Sequence, residues 1–160
     1  MFRRFRSPFK RSGVLREDVE QTLVAKWLRE EHAEVLFTIA PNAGRLPIGV
    51  GVRLKGMGYL PGTPDLLIFA PRGAYHGLFV ELKALKGGVV NPEQISFILR
   101  ARALGYAAVV CRGHEAAKET ISQYLGGVYN AEMERGELGS NQARTGGAAP
   151  GEPGAGGGSR

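Results

Sequence analysis

The sequence has little cysteine and no long apolar run, and each shortage excludes a class of protein. Its 160 residues include one cysteine, Cys111, which excludes an internal disulfide and a zinc cage built from several cysteines. Apolar runs such as 66–70 are short, whereas a membrane-spanning helix needs about 20 apolar residues. The basic amino terminus lacks the apolar stretch of a secretory signal. We therefore expect a cytoplasmic protein that does not enter membranes.

Acidic residues are missing from positions 1–12. This segment supplies five of the six net positive charges of the chain, carried by Arg3, Arg4, Arg6, Lys10 and Arg11. Three phenylalanines are interleaved with these cations, a pattern suited to phosphate attraction and to stacking on exposed bases. We interpret residues 1–13 as a basic flexible arm. A solvated leader without function is the equal alternative.

Large aliphatic residues are almost missing from the other end of the chain. Of the 24 glycines, nine lie in 136–160, where Leu138 is the one large aliphatic residue. Such a segment cannot bury enough apolar surface to offset its loss of conformational entropy. The sequence predicts a glycine-rich disordered tail over 131–160 and a single folded domain over 14–130.

Hydrophobic periodicity inside that domain predicts three helices and four strands. The predicted helices are 16–32, 91–104 and 114–125. The predicted strands are 35–40, 65–70, 77–84 and 106–111. The loop 41–62 is expected to be irregular, with one short helical turn around Val52 to Met57. The order α-β-β-β-α-β-α indicates an α/β fold, a small mixed sheet flanked by helices, with the nearly all-apolar strand 106–111 at its centre.

Candidate chemistry lies on the strand 77–84. Alternation places Glu81 and Lys83 on one face of this strand. Alone, such a pair is typical of a plain surface contact between strands. However, Asp65 begins the preceding strand, and hairpin pairing of the two strands brings it close to Glu81. The sequence therefore predicts two converging carboxylates with a lysine beside them.

Converging carboxylates resist simultaneous ionisation, and a hard divalent cation between them relieves the repulsion. Mg²⁺, or Mn²⁺ in its place, keeps several waters and completes its shell with phosphate oxygens, which fits phosphoryl chemistry on nucleic acid. Lys83 is positioned to reach the same phosphate, where an ammonium can orient the attacking water or stabilise developing charge.

Two further polar residues are candidates for this site. Glu20 falls within the apolar arc of the first helix, where it needs a partner such as a metal. An acid at the edge of the arc that reaches water is the alternative, and Glu31 in the same arc is its competitor. Gln94 lies in the first turn of the helix after the strand, either as a ligand for water or phosphate or as an ordinary first-turn polar residue.

These motifs together resemble the PD-(D/E)xK nuclease superfamily and, in detail, its VRR-NUC family. The resemblance extends over about residues 16 to 126 and is carried by Gly62-Thr63-Pro64-Asp65, Tyr75 to Lys83, Asn91-Pro92-Glu93-Gln94, Gly105-Tyr106 and Tyr124-Leu125. It implies a restriction-endonuclease-like core and a metal-dependent phosphodiesterase. In the roles it implies, Asp65, Glu81 and the Leu82 carbonyl bind the ion, Glu20 supports it, and Lys83 and Gln94 serve the nucleophile.

The resemblance also implies a biological setting. Small stand-alone members of the family look like viral or phage proteins related to Holliday-junction resolvases, which implies a homodimer in a bacterial or phage-infected cell. The implied activity is cleavage of branched or junction DNA in replication, recombination or repair. Besides the five arm cations, the expected DNA contacts are Asn42, Arg45 and Lys86. The alternative function is a noncatalytic nucleic-acid-binding module that keeps the nuclease fold.

Overall fold

The structure is a computed structural model that describes residues 15–40, 47–130 and 132. The predicted arm, the predicted tail apart from residue 132, and the proposed DNA contacts Asn42 and Arg45 lie outside these residues. The helices are α1 (Glu17–Glu31), α2 (Ile48–Gly56), α3 (Pro92–Ala103) and α4 (His114–Leu125). The strands are β1 (Phe37–Ile39), β2 (Leu66–Ile68), β3 (Leu78–Lys83) and β4 (Ala107–Arg112). None of the helices in the described ranges has the length and hydrophobicity needed to cross a bilayer.

The four strands form one mixed sheet in the order β1-β2-β3-β4. β1, β2 and β3 pair antiparallel in succession, and β4 pairs with β3 in the parallel direction. The parallel step requires a crossover, which α3 supplies between the two strands. The predicted α/β class with a small mixed sheet flanked by helices is confirmed.

Alternation along the strands separates two apolar layers. The larger layer packs one face of the sheet against α1 and α4 and includes Leu66, Ile68, Leu78, Val80, Leu28 and Tyr124. The smaller layer packs the other face against α3 and includes Ala108, Val110, Ile98 and Phe79. Glu81 and Lys83 share the parity of Phe79 on β3, so they lie on the α3 side of the sheet, as the alternation predicts.

The prediction that 106–111 forms the central strand is wrong, because β4 lies at one edge of the sheet. Five of its six residues are nevertheless buried. The burial comes from helices on both faces, since α3 and α4 each pack on β4. An apolar run therefore identified a strand covered on both sides without fixing its place in the sheet.

The segment between β1 and β2 contains more helix than the sequence indicates. α2 begins after Pro47 and spans nine residues, whereas one turn around Val52 to Met57 was expected. Its first turns contain Gly49 and Gly51, which have low helix propensity and conceal the helix in the sequence. The other elements lie where predicted, although β1 and β2 are three residues each and shorter than expected.

Candidate active site

Asp65 and Glu81 lie side by side at the open end of the β2–β3 hairpin, away from the loop that connects the two strands. Leu66 pairs with Val80, so Asp65, one residue before β2, lies beside Glu81 at the same end of the sheet. Asp65 Oδ2 accepts a hydrogen bond of 2.8 Å from the backbone amide of Leu82. This bond fixes the carboxylate next to β3 and confirms the predicted proximity of the two acids.

Glu81 is buried and only partly satisfied. Its side chain is 2% exposed, and its Oε1 accepts a hydrogen bond of 2.6 Å from Lys83 Nζ and another from Gln94 Nε2. Its Oε2 is also buried and has no hydrogen-bond partner among the described residues. A buried carboxylate oxygen without a partner costs free energy unless a cation or donor reaches it.

Lys83 is buried with Glu81, at 7% exposure. The loop after β3 covers it, and a Cβ placed on Gly88 would lie 2.8 Å from Lys83 Cβ, so a glycine there lets the loop come close. The interpretation of the two residues as a plain surface pair is therefore wrong. A buried ammonium held by a carboxylate has a fixed position, which is what a group acting on a phosphate requires.

Burial first, and then the negative charge of Asp65, raise the pKa of Glu81 from 4.5 to about 8. The Lys83 ammonium acts in the opposite direction through its charge and its hydrogen bond, without cancelling the effect of burial. Glu17, at the start of α1, adds a smaller upward contribution. In the absence of a cation, these effects favour the protonated form of Glu81.

Gln94 lies in the first turn of α3, as predicted, and its side chain contacts Glu81, which was not predicted. Its amide oxygen accepts a bond of 3.0 Å from the backbone of Asn91, whose side chain in turn accepts from the Gln94 backbone at 2.9 Å. This reciprocal capping box fixes the helix start and leaves the amide nitrogen of Gln94 to donate to Glu81. The loop before Asp65 lies against this turn, because a Cβ on Gly62 would lie 2.3 Å from the carbonyl carbon of Glu93.

The oxygen ligands at this site suit a hard cation that binds few protein groups. The carboxylates of Asp65 and Glu81 converge, and Glu81 Oε2 is buried without a hydrogen-bond partner among the described residues. Binding of Mg²⁺ or Mn²⁺ between them would reduce their repulsion and give this oxygen a partner. Within residues 15–40, 47–130 and 132, no three His, Cys, Asp or Glu side chains form a group that could hold a metal ion. The remaining ligands would thus be water, backbone or substrate oxygens. The Leu82 carbonyl stays a predicted ligand, and its amide is the group that contacts Asp65.

Comparison with known proteins decides the family of this chain. The VRR-NUC domain model matches residues 16–115, a span that contains Asp65, Glu81, Lys83 and Gln94. The chain belongs to the VRR-NUC family. A solved structure described as a VRR_NUC domain protein is 31% identical, with a TM-score of 0.61, over 71% of this chain and 90% of that one. A second, described as a VRR_NUC domain, is 25% identical, with a TM-score of 0.42, over 66% of this chain and 97% of that one. No curated protein matches.

Membership makes this a nuclease-type domain. In this VRR-NUC domain, Glu20 is 3% exposed, so its interpretation as an acid that reaches water is wrong, and its competitor Glu31 is exposed. The observed partner of Glu20 is His114: Oε2 accepts a bond of 2.7 Å from the His114 backbone amide and also contacts its ring Nδ1. Its role in supporting a metal stays a prediction.

Two residues of α1 near the site were not singled out from the sequence. Gln21 donates a hydrogen bond of 3.0 Å from its side chain to the backbone carbonyl of Asp65. Glu17, one turn earlier, lies with Oε1 at 3.5 Å from the backbone amide of Ala84. Their spacing of four residues places both on one face of the helix, and this is the signal that could have found them.

Lys86 is the one proposed DNA contact that the structure describes. It is exposed in the turn that follows β3, three residues after Lys83. The role of Lys86 stays a prediction, like those of the arm cations.

Proposed function

We propose that this VRR-NUC domain is a Mg²⁺- or Mn²⁺-dependent DNA endonuclease. The observation that carries the proposal is the buried Glu81, which faces Asp65, is held by Lys83 and Gln94, and keeps one oxygen without a partner. Such a group is costly as a purely structural element, since burial disfavours the charged form of Glu81 and leaves its Oε2 without a partner among the described residues. Clusters with strongly perturbed pKa values are typical of catalytic sites.

Asp65 and Glu81 would hold the ion, together with the backbone carbonyl of Leu82. A bound Mg²⁺ supplies charge stabilisation at the phosphate and an activated water. The Asp65 carboxylate is anchored by the Leu82 amide, and Glu81 is anchored by two donors, so the pair is arranged before any substrate arrives. A preorganised pair spends little binding energy on rearrangement.

Lys83 would act on the reacting phosphate. Glu81 fixes its ammonium from one side, and the remaining N–H donors can orient water or bind a phosphate oxygen. Its positive charge would offset the negative charge that develops during attack. Gln94 would keep Glu81 in place through its amide.

The proposed substrate is branched or junction DNA, in replication, recombination or repair. A basic surface attracts phosphates without reading sequence, and cations at both the arm and Lys86 supply such attraction. Cutting two strands of a symmetric junction requires two copies of the site, so the proposed working form is a homodimer.

Labelled duplex, single-stranded, flap, fork and four-way-junction DNA tests the proposal. We expect cleavage with Mg²⁺ or Mn²⁺, its loss on chelation, and preference for a branched substrate. Asp65→Asn should abolish cleavage while DNA affinity is kept or raised, because the change also removes repulsion toward phosphate. Glu30→Gln, an exposed acid of α1, is the control that should cleave normally.

Chelator-resistant DNA binding by a protein that cuts none of these substrates would overturn the proposal. It would favour instead the noncatalytic nucleic-acid-binding module. The observation consistent with that function is that Glu81 Oε1 already accepts hydrogen bonds from two protein donors, Lys83 and Gln94.

A further inference from the structure

Two acids of α1 lie on the side of the helix that approaches the site, and their surroundings differ. Glu20 is 3% exposed, and its Oε2 binds the backbone and the ring of His114 at the start of α4. The N-cap residue of α4 is Gly113, which has no side chain to accept from the helix N–H groups. Glu20 therefore supplies from α1 the cap that α4 lacks.

Glu17 points to a different part of the fold. Its Oε1 lies 3.5 Å from the Ala84 amide, directly after β3, and it is partly exposed. One turn along the same face, Gln21 binds the Asp65 carbonyl, so this face of α1 borders the paired carboxylates.

We infer that Glu17 is the α1 acid that serves the metal site, and that Glu20 anchors α4 to α1. This inference rests on the proposed function, and it departs from the family resemblance, which implies Glu20 for the supporting role. The assignment follows from what each carboxylate already does. Moving Glu20 toward an ion would remove the cap of α4, whereas Glu17 borders the site in its present position.

Glu17 is a positioning residue in this scheme. Its carboxylate borders the paired acids without joining them as a third ligand, and Glu81 Oε2 is buried without a hydrogen-bond partner among the described residues. Mg²⁺ keeps several of its waters in protein sites, and a nearby carboxylate can accept hydrogen bonds from them. Partners that act through a ligand in this way change metal affinity by about 10- to 100-fold.

Mn²⁺ binding to the full chain, measured by titration calorimetry without DNA, tests the assignment. Glu17→Gln should weaken Mn²⁺ binding by about 10- to 100-fold and leave the metal-free melting temperature unchanged. Asp18→Asn is the matched control, because it removes the same charge from the same turn, and its Mn²⁺ affinity should stay within about twofold of the unchanged protein. Glu20→Gln should lower the metal-free melting temperature and leave Mn²⁺ affinity within the same limit.

If Glu20→Gln does not fold, His114→Asn removes the ring contact while keeping the Glu20 carboxylate. It should lower the melting temperature and leave the Mn²⁺ affinity unchanged. Unchanged affinity in Glu17→Gln, or weakened affinity in His114→Asn or Glu20→Gln, would overturn the assignment. Absence of Mn²⁺ binding by the unaltered protein would instead overturn the proposed function, so the two failures are distinguishable.

Discussion

At the scale of single residues, Lys83 and Glu81 concentrate an electrostatic cost inside a small domain. Both side chains are buried, at 7% and 2% exposure, and they contact each other at 2.6 Å. Withdrawing the Lys83 ammonium from water costs several kcal/mol, and burial likewise disfavours the charged form of Glu81. A surface pair on the same strand would avoid the cost, so the buried position is better explained by chemistry than by stability.

Lys83→Ala should lower single-turnover cleavage at saturating protein by about 10²- to 10⁴-fold while the fold is kept. The fold should survive because Glu81 retains its proton once the ammonium is gone. Lys83→Arg should rescue poorly, since its planar, permanently charged group cannot release a proton or occupy the compact position of an ammonium.

Lys118→Ala is the control for Lys83, because it removes a partly exposed cation that pairs with Glu115 on α4. Its single-turnover rate should match the unaltered protein. A rate for Lys83→Ala within a few-fold of that value would remove Lys83 from the mechanism, even if Asp65 proved essential.

The raised pKa of Glu81 makes metal-free stability depend on pH. Between about pH 4.5 and 8 the folded state holds a proton that the unfolded state has lost, so the free energy of unfolding falls as pH rises through this window. Glu81→Gln removes this term, which is on the order of a few kcal/mol.

Denaturant unfolding of both proteins with a chelator, at pH 5 and pH 9, measures the effect. The unaltered protein should lose more stability than Glu81→Gln between these two values. Parallel changes in the two proteins would show that the carboxyl group ionises normally.

The sequence identified the site acids by type and spacing, but it could not assign every partner. Asp65 and Glu81 were predictable because hairpin pairing and strand alternation are local rules. The partner of Glu20 was not, since His114 lies 94 residues away and meets α1 only when α4 packs. The sequence showed that Glu20 needs a partner, and tertiary packing decided which one.

At the scale of elements, the first turn of α3 positions the site, and the loop before β2 holds that turn. Gly62 has φ of +81°, and a Cβ there would meet Glu93 backbone atoms at 2.3 Å. No flexible side chain is available to move aside, since the atoms in contact are backbone. The loop and the start of α3 must therefore separate if this glycine is replaced.

Gly62→Ala should lower the melting temperature and reduce turnover by about 10- to 100-fold, because Gln94 moves with the displaced helix. Gly58→Ala is the matched control: φ there is +98°, and a Cβ meets nothing within 4 Å. It should show only the backbone cost of about 1–2 kcal/mol, with normal turnover. Equal turnover in the two variants would contradict the proposed link between the loop and the site.

Element types were largely predictable, whereas boundaries and neighbours were less so. α4 spans the predicted residues because its apolar spacing is regular and glycines flank it. α2 was underestimated because Gly49 and Gly51 weaken the local helix signal. β4 pairs with β3 on one side and lies at the edge of the described sheet. The order of strands in a sheet depends on the whole fold, and no single segment encodes it.

At the scale of the whole molecule, positive charge is concentrated in the first 12 positions of the chain. Deleting these residues should weaken DNA binding and reduce the log–log salt slope by up to about 4.5, because up to five phosphate contacts would be lost. Equilibrium binding at several salt concentrations checks this.

Replacing the five arm cations by glutamine, with Phe2, Phe5 and Phe9 retained, separates charge from stacking. The salt slope should fall as in the deletion, and any affinity that remains above the deletion is due to the aromatic residues. An unchanged salt slope in both variants would show that the arm does not contact DNA phosphates and would favour its interpretation as a solvated leader without function.

The capping box of α3 affects which substitutions position 94 can accept. A helix start of this kind accepts glutamate as readily as glutamine at position 94, since either oxygen can bind the Asn91 amide. At the site, a glutamate at this position would lack the amide N–H that Gln94 donates to Glu81. The start of α3 can therefore form with either glutamine or glutamate at position 94, whereas only glutamine can donate to Glu81. A descendant released from selection for cleavage would be free to exchange Gln94 for glutamate while keeping its fold.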